Sequence, residues 1–198
     1  VARAAGPAVA AAEAVDDRMA LARLQFGILR LVQGDLDTAT EDFHAANLVS
    51  RQAHMNVVIR NSAGNLALVD ALRGNLTRAE RWLAMFDEAE VDPDAEFERT
   101  VRVGGLVAAA LVAINRLRLD EASAVLAQLQ DIDVSEELWM FVAAARASEA
   151  FVRGDAMAGL AVLDEAEASH RATTARVGIA PALLLGVHVD LLLAVGQA

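Results

Sequence analysis

Gly34-Asp35-Leu36-Asp37-Thr38-Ala39 returns further along the chain as Gly74-Asn75-Leu76-Thr77-Arg78-Ala79. It returns again, less faithfully, as Leu117-Arg118-Leu119-Asp120-Glu121-Ala122 and as Gly154-Asp155-Ala156-Met157-Ala158-Gly159. A fifth start stands at Val195-Gly196-Gln197-Ala198. Equivalent positions lie 40, 43, 37 and 42 residues apart. A period near 40 is room for two helices and their turns, and such a unit buries its apolar face by stacking on its neighbours.

Each copy reads the same way. An apolar run precedes the motif, as from Met19 to Val32, where Leu21, Leu24, Ile28, Leu31 and Val32 share one helical face. Glycine at 34, 74, 154 and 196 suits the left-handed residue that closes a helix. Asp35, Asn75 and Asp155 then stand where a side-chain oxygen caps the next helix. That second helix carries Ala39, Phe43 and Ala46, then Ala79, Leu83 and Phe86, then Ala122, Leu126 and Leu129, then Gly159, Leu163 and Ala166. A small residue, Gly27, Ala67, Ala110 or Ala147, precedes each set on the first helix. Small residues let paired helices approach, and the large one fills the groove between them.

This spacing resembles the tetratricopeptide pattern over nearly the whole chain. The resemblance implies an all-α fold, a right-handed α-solenoid of about four to five antiparallel helix pairs. The chain departs from the family in lacking its first-helix Trp and Tyr. The closing Pro is absent apart from the displaced Pro93, and the period exceeds the usual 34 or so. The repeat sets a single domain over residues 1–198, with units at about 17–52, 56–90, 93–130 and 136–171 and a truncated one at 177–198. Asp92-Pro93 is predicted to open a long helix through Arg116, and Ser135-Glu136-Glu137 another. Ala172 to Val177 reads as a loop or a frayed helix end before the last apolar helix. Neither end looks like a natural boundary, which predicts a piece of a longer chain.

Composition agrees with helices. Hydrophobic residues make up 56% but aromatics only 4%, so the apolar content is Ala, Leu and Val, and strand signals are missing. The net charge of −11, with every basic side chain an Arg and the 17 of them scattered, opposes direct nucleic-acid contact. Without cysteine there are no disulfides or thiolate metal sites. No signal peptide is visible, and the uncharged stretches Val103–Asn115 and Val177–Val189 fall short of the roughly 18–20 residues of a membrane span. A cytoplasmic protein without membrane attachment is the reading.

Catalytic signatures are missing too. There is no phosphate loop with lysine and no nucleophile elbow. Gly104-Gly105 lies in a helical apolar run and reads as helix packing. His44, His54, His170 and His188 are dispersed without metal-ligand spacing, and Asp87-Glu88, Glu136-Glu137 and Asp164-Glu165 read as solvated faces. No enzyme activity, metal or cofactor is expected.

What remains is binding. First helices line the concave side of tetratricopeptide arrays, so the resemblance makes their polar residues, Arg60, Asn61, Asn65, Asn115, Arg146 and Glu149, a candidate groove for a ligand or partner. Alternatively they solvate the groove, satisfy helix ends, or, for Arg146 and Glu149, pair with each other. The last helix is apolar nearly all round, which predicts an interface, with Leu184, Val187 and Leu191 in self-association.

Helix pairs with Gly-Asp turns, rich in Ala, Leu and Arg, look like the solenoid of large LuxR-type, MalT-like bacterial transcription regulators. That resemblance implies a sensor segment between an NTPase module and a DNA-binding module, receiving a protein or peptide partner or a small inducer and allowing a homodimer. A free-standing interaction scaffold is the alternative.

Overall fold

The computed structural model describes residues 5–89, 101–130, 132, 134, 138–170 and 179–196. Among them the chain forms nine helices and no strand. These are α1 (Ala5–Gln33), α2 (Leu36–Gln52), α3 (Asn56–Leu72), α4 (Leu76–Glu88), α5 (Val103–Asn115), α6 (Leu119–Ala127), α7 (Trp139–Val152), α8 (Ala156–His170) and α9 (Ile179–Ala194). The expected helix starts at Pro93 and Ser135 and the loop at Ala172 to Val177 lie outside the described residues.

A left-handed residue follows each odd-numbered helix: Gly34, Gly74, Gly154 and Gly196 have φ of +89°, +75°, +83° and +72°. Leu117, which stands where the repeat elsewhere has glycine, is forced to +58°. The turns bond alike. Gly34 donates to the Leu31 carbonyl (3.1 Å) and Asp35 to that of Arg30 (2.9 Å), and Leu117 and Arg118 donate to Ile114 (2.9 Å) and Ala113 (2.8 Å). Such bonds satisfy carbonyls that a helix end otherwise orphans. Asp35 and Asp155 cap the next helix as expected, accepting from the amides of Thr38 (3.2 Å) and Ala158 (3.0 Å). Asn75 does not: its amide turns back towards Asp70 Oδ1 (3.4 Å).

The helices sort into two layers. Helices α3, α5 and α7 are inner: every residue of α3 from Asn61 to Ala71 is buried, as are α5 from Val103 to Ile114 save Ala109 and α7 from Trp139 to Ala145, whereas α1 and α9 keep broad exposed faces. Even-numbered helices bury a single stripe, such as Ala39, Phe43 and Ala46 on α2. Each even helix packs on the odd helices before and after it, and α9 reaches back to touch α1. There a Cβ added to Gly34 would stand 3.3 Å from the Ile179 backbone nitrogen.

Small residues set the approach distances. A Cβ on Gly27 would stand 2.7 Å from Phe43 Cδ1, and one on Gly64 would stand 2.9 Å from the Gly105 nitrogen. On Gly105 it would fall within 2.7 Å of three ring carbons of Phe86. No described helix is long and apolar enough to cross a membrane.

Two glycine substitutions test this account in opposite directions. Gly105→Ala forces the buried Phe86 ring aside and is expected to cost about 1–3 kcal/mol. Leu117→Gly relieves a left-handed residue whose side chain is 73% exposed, for a net gain of about 0.5–1 kcal/mol after the added unfolded-chain entropy. Urea unfolding of the two variants should move the midpoint down and up respectively; a gain for Gly105→Ala would remove the close-approach argument.

Candidate functional site

The residues expected to line one groove do not share one. On α3, Asn61 and Asn65 are 7% and 1% exposed. Asn65 Nδ2 donates to the Asn61 carbonyl (3.0 Å) and to Asn61 Oδ1 (2.6 Å). The Asn65 Oδ1 faces Gly104 on α5, where an added Cβ would lie 2.6 Å away. Packing of α3 on α5 has filled the side that a wide array would leave open. Arg60 lies over the Phe86 ring, 4.7 Å from its centroid. Asn115 is exposed at the end of α5, and its amide bonds back to the Leu111 carbonyl (2.8 Å).

Arg146 and Glu149 on α7 do not pair with each other. Glu149 accepts from Arg153 Nε (2.7 Å) and from the Ser123 hydroxyl of α6. That leaves Arg146 half-buried with neither ion pair nor hydrogen bond. Among the described residues Arg18, Arg51 and Arg81 are also unpaired, but all three are exposed.

Arg146 lines a cleft of about 360 Å³ between the end of α6, α7 and α8. The apolar side chains of Leu129, Ile132, Val134, Trp139, Val142 and Val162 share this lining with Arg146 and Gln130, and Glu165 stands at the exposed rim. With no ion pair among the described residues, the Arg146 guanidinium is available to an incoming anion. The cleft lies within the size range of small-molecule sites. These walls went unread in the sequence. The signal was there in Ile132 and Val134, two apolar residues alternating with aspartates between helices.

A second cleft, of about 570 Å³ between α4, α5 and α6, is different in kind. Its charges are mutually answered: Glu80 pairs with Arg116 (3.3 Å) and Arg118 (3.4 Å), Arg118 with Glu121 (3.0 Å), and Arg102 donates to Gln128 (3.1 Å). Partial desolvation at the cleft edge pushes the carboxyl of Asp87, an exposed residue, above its ordinary value, against the opposing pull of Arg60 and Arg102.

On α9 the placement corrects the expected self-association face. Leu191 is fully buried, because its side chain fills the space left by Gly159 (2.6 Å from an added Cβ to Leu191 Cδ2). Leu184 and Val187 are half-buried against the same core. The outward stripe is Leu185, Val189 and Leu193, 64%, 45% and 57% exposed. No three described His, Asp or Glu side chains gather at a metal-binding distance.

No family model matches the chain, and neither a curated protein nor a solved structure matches it.

The Asp87 shift carries a pH signature. The folded state holds that proton more tightly than the unfolded chain, so stability is highest below the ordinary carboxylate range and falls as pH rises through the elevated one. Asp87→Asn should therefore melt slightly higher than wild type at pH 7 and no higher at pH 3. A variant that gains nothing at pH 7 would show that partial desolvation costs the Asp87 carboxylate nothing.

Proposed function

We propose that this chain is a non-catalytic binding and oligomerisation module, the sensor or interaction segment of a bacterial transcription regulator of the LuxR type, built as a right-handed solenoid of tetratricopeptide-like helix pairs. What supports the solenoid reading is the recurrence of left-handed residues at 34, 74, 117, 154 and 196 with like hydrogen bonding. What carries the sensor reading is Arg146, the one described arginine that is both half-buried and unpaired, in a cleft whose walls include the apolar side chains of Leu129, Val142 and Val162.

Those walls and that cation define the ligand class: a small molecule with an aliphatic body and a single carboxylate. The guanidinium grips the head with two parallel hydrogen bonds, and Leu129, Val142 and Val162 take the tail. Glu165 at the rim and the net charge of −11 disfavour polyanions. The regulator reading predicts, in the full-length protein, an NTPase module on one side and a DNA-binding module on the other. A gene encoding neither would leave the free-standing interaction scaffold as the better account.

A thermal-shift series from hexanoate to dodecanoate tests the cleft. Saturation at about a hundredfold over Kd stabilises by about 2.7 kcal/mol. Arg146→Met should keep the unliganded melting temperature and abolish the shift. No shift with any member, or an equal one in the variant, would rule out a carboxylate at Arg146.

The outward stripe of α9 carries the oligomerisation part of the reading, since contiguous exposed apolar residues of this kind mark interfaces. Sedimentation equilibrium is expected to find a dimer that Leu185→Glu with Val189→Glu dissociates. A monomer at all concentrations would remove α9 from self-association.

A further inference from the structure

The outer faces of α2 and α4 together make a surface that neither helix makes alone. The His44 and Trp82 rings meet edge-on across the gap between the helices, with centroids 5.2 Å apart. A shallow hollow opens on each side of that bridge. One, of about 450 Å³, is lined by His44, Asn47, Leu48, Arg51 and Gln52. The other, of about 310 Å³, is lined by Arg78, Arg81, Trp82 and Met85.

Not one of these lining residues is acidic, although the whole chain carries −11. Arg51 and Arg81 are exposed and unpaired. Arg78 is half-answered from behind, its Nε 3.3 Å from the Oδ2 of buried Asp70. Burial and Arg78 both push the His44 imidazole below its ordinary value, so the fixed cations are the three arginines. Between them lie Leu48, 62% exposed, and the half-buried Trp82 and Met85. Trp, Met and Arg are the residue types enriched where partners dock, and an aromatic flanked by arginines is the usual make-up of a hot spot.

We infer that the α2–α4 face docks an acidic, amphipathic segment of a partner protein, its apolar side chains on Leu48, Trp82 and Met85 and its carboxylates at Arg51 and Arg81. Charge complementarity selects this occupant. The cations are isolated on a strongly negative molecule, so an acidic segment is drawn to this face and repelled from the remainder. Nucleic acid fits less well. A phosphate backbone needs a longer run of cations than three, and the exposed leucine and half-buried methionine have no role against it. The surface lies on helices other than those of the Arg146 cleft, so the two assignments stand or fall separately.

The test is selection from a displayed library of random peptides on the wild-type chain, with prior subtraction on Arg51→Glu/Arg81→Glu. Binders that survive should be rich in Asp and Glu around apolar residues. Their affinity, read by fluorescence polarisation, should fall about tenfold or more in the double variant and in Trp82→Ala, and should weaken as salt rises. Arg146→Met should leave it unchanged. Matching circular-dichroism melts separate lost docking from lost folding; if Trp82→Ala unfolds, the two exposed arginines carry the test alone. Survivors without acidic enrichment, equal affinity for the double variant, or binding of a single-stranded oligonucleotide that depends on Arg51 and Arg81 would each overturn the inference.

Discussion

The backbones of α3 and α5 meet at Gly64, Gly104 and Gly105, and the remaining layers are placed by that approach. With no side chain on either helix there, a Cβ on Gly64 would already crowd the Gly105 nitrogen at 2.9 Å. Phe86 descends from α4 onto the same spot, 3% exposed. Interiors are close-packed, so the absence of three methyl groups sets the separation of the helices and the depth of the ring alike. It also decides the fate of Asn61 and Asn65. Two helices brought this close leave no channel beside them, and the asparagines turn to each other.

Charge follows a similar logic of enclosure. Asp42, 1% exposed, is held by Arg23 (2.7 Å) and Arg30, both from α1. Asp70, also 1% exposed, is approached by Asn75 and Arg78 across the turn into α4. A carboxylate taken out of water must find such partners, since an unpaired one is costly. These pairs consume much of the arginine on the first four helices and link each outer helix to an inner one. What they do not consume becomes informative: Arg146 over its apolar cleft, and Arg51 and Arg81 around Trp82.

The binding surfaces proposed for this molecule therefore lie where packing leaves something unanswered. The inner layer is tightly filled, and polar groups within it bond to near neighbours, Asn47 to Ser62 (2.9 Å) and Asn65 Nδ2 to Asn61 (2.6 Å), although Asn65 Oδ1 is buried without a hydrogen bond. The unanswered groups lie at the periphery, where an outer helix meets an inner one near a connection or where two outer helices run side by side. Functional residues concentrate in such places because a rigid scaffold presents them without needing them for its own stability.

The sequence by itself determined the helical class, the turns and the small-to-large matching. These are local: a left-handed residue and the apolar offsets around it, as at Gly34 with Gly27 and Phe43, are properties of neighbours within one helix pair. Even the imperfect copy at Leu117 was legible, because the other copies supplied the register. Which polar residues reach solvent was not. Asn61 and Asn65 read as groove residues and are buried, since their exposure depends on how near α5 comes. Leu191 read as surface and fills the gap above Gly159, because that gap belongs to α8. Scattered along the chain, Arg51 and Arg81 showed no basic stripe, and only the packing of α2 and α4 on a shared inner helix put them on one face. Distances between separate pairs are set by the sum of many contacts across the core, and no single stretch of sequence contains that sum.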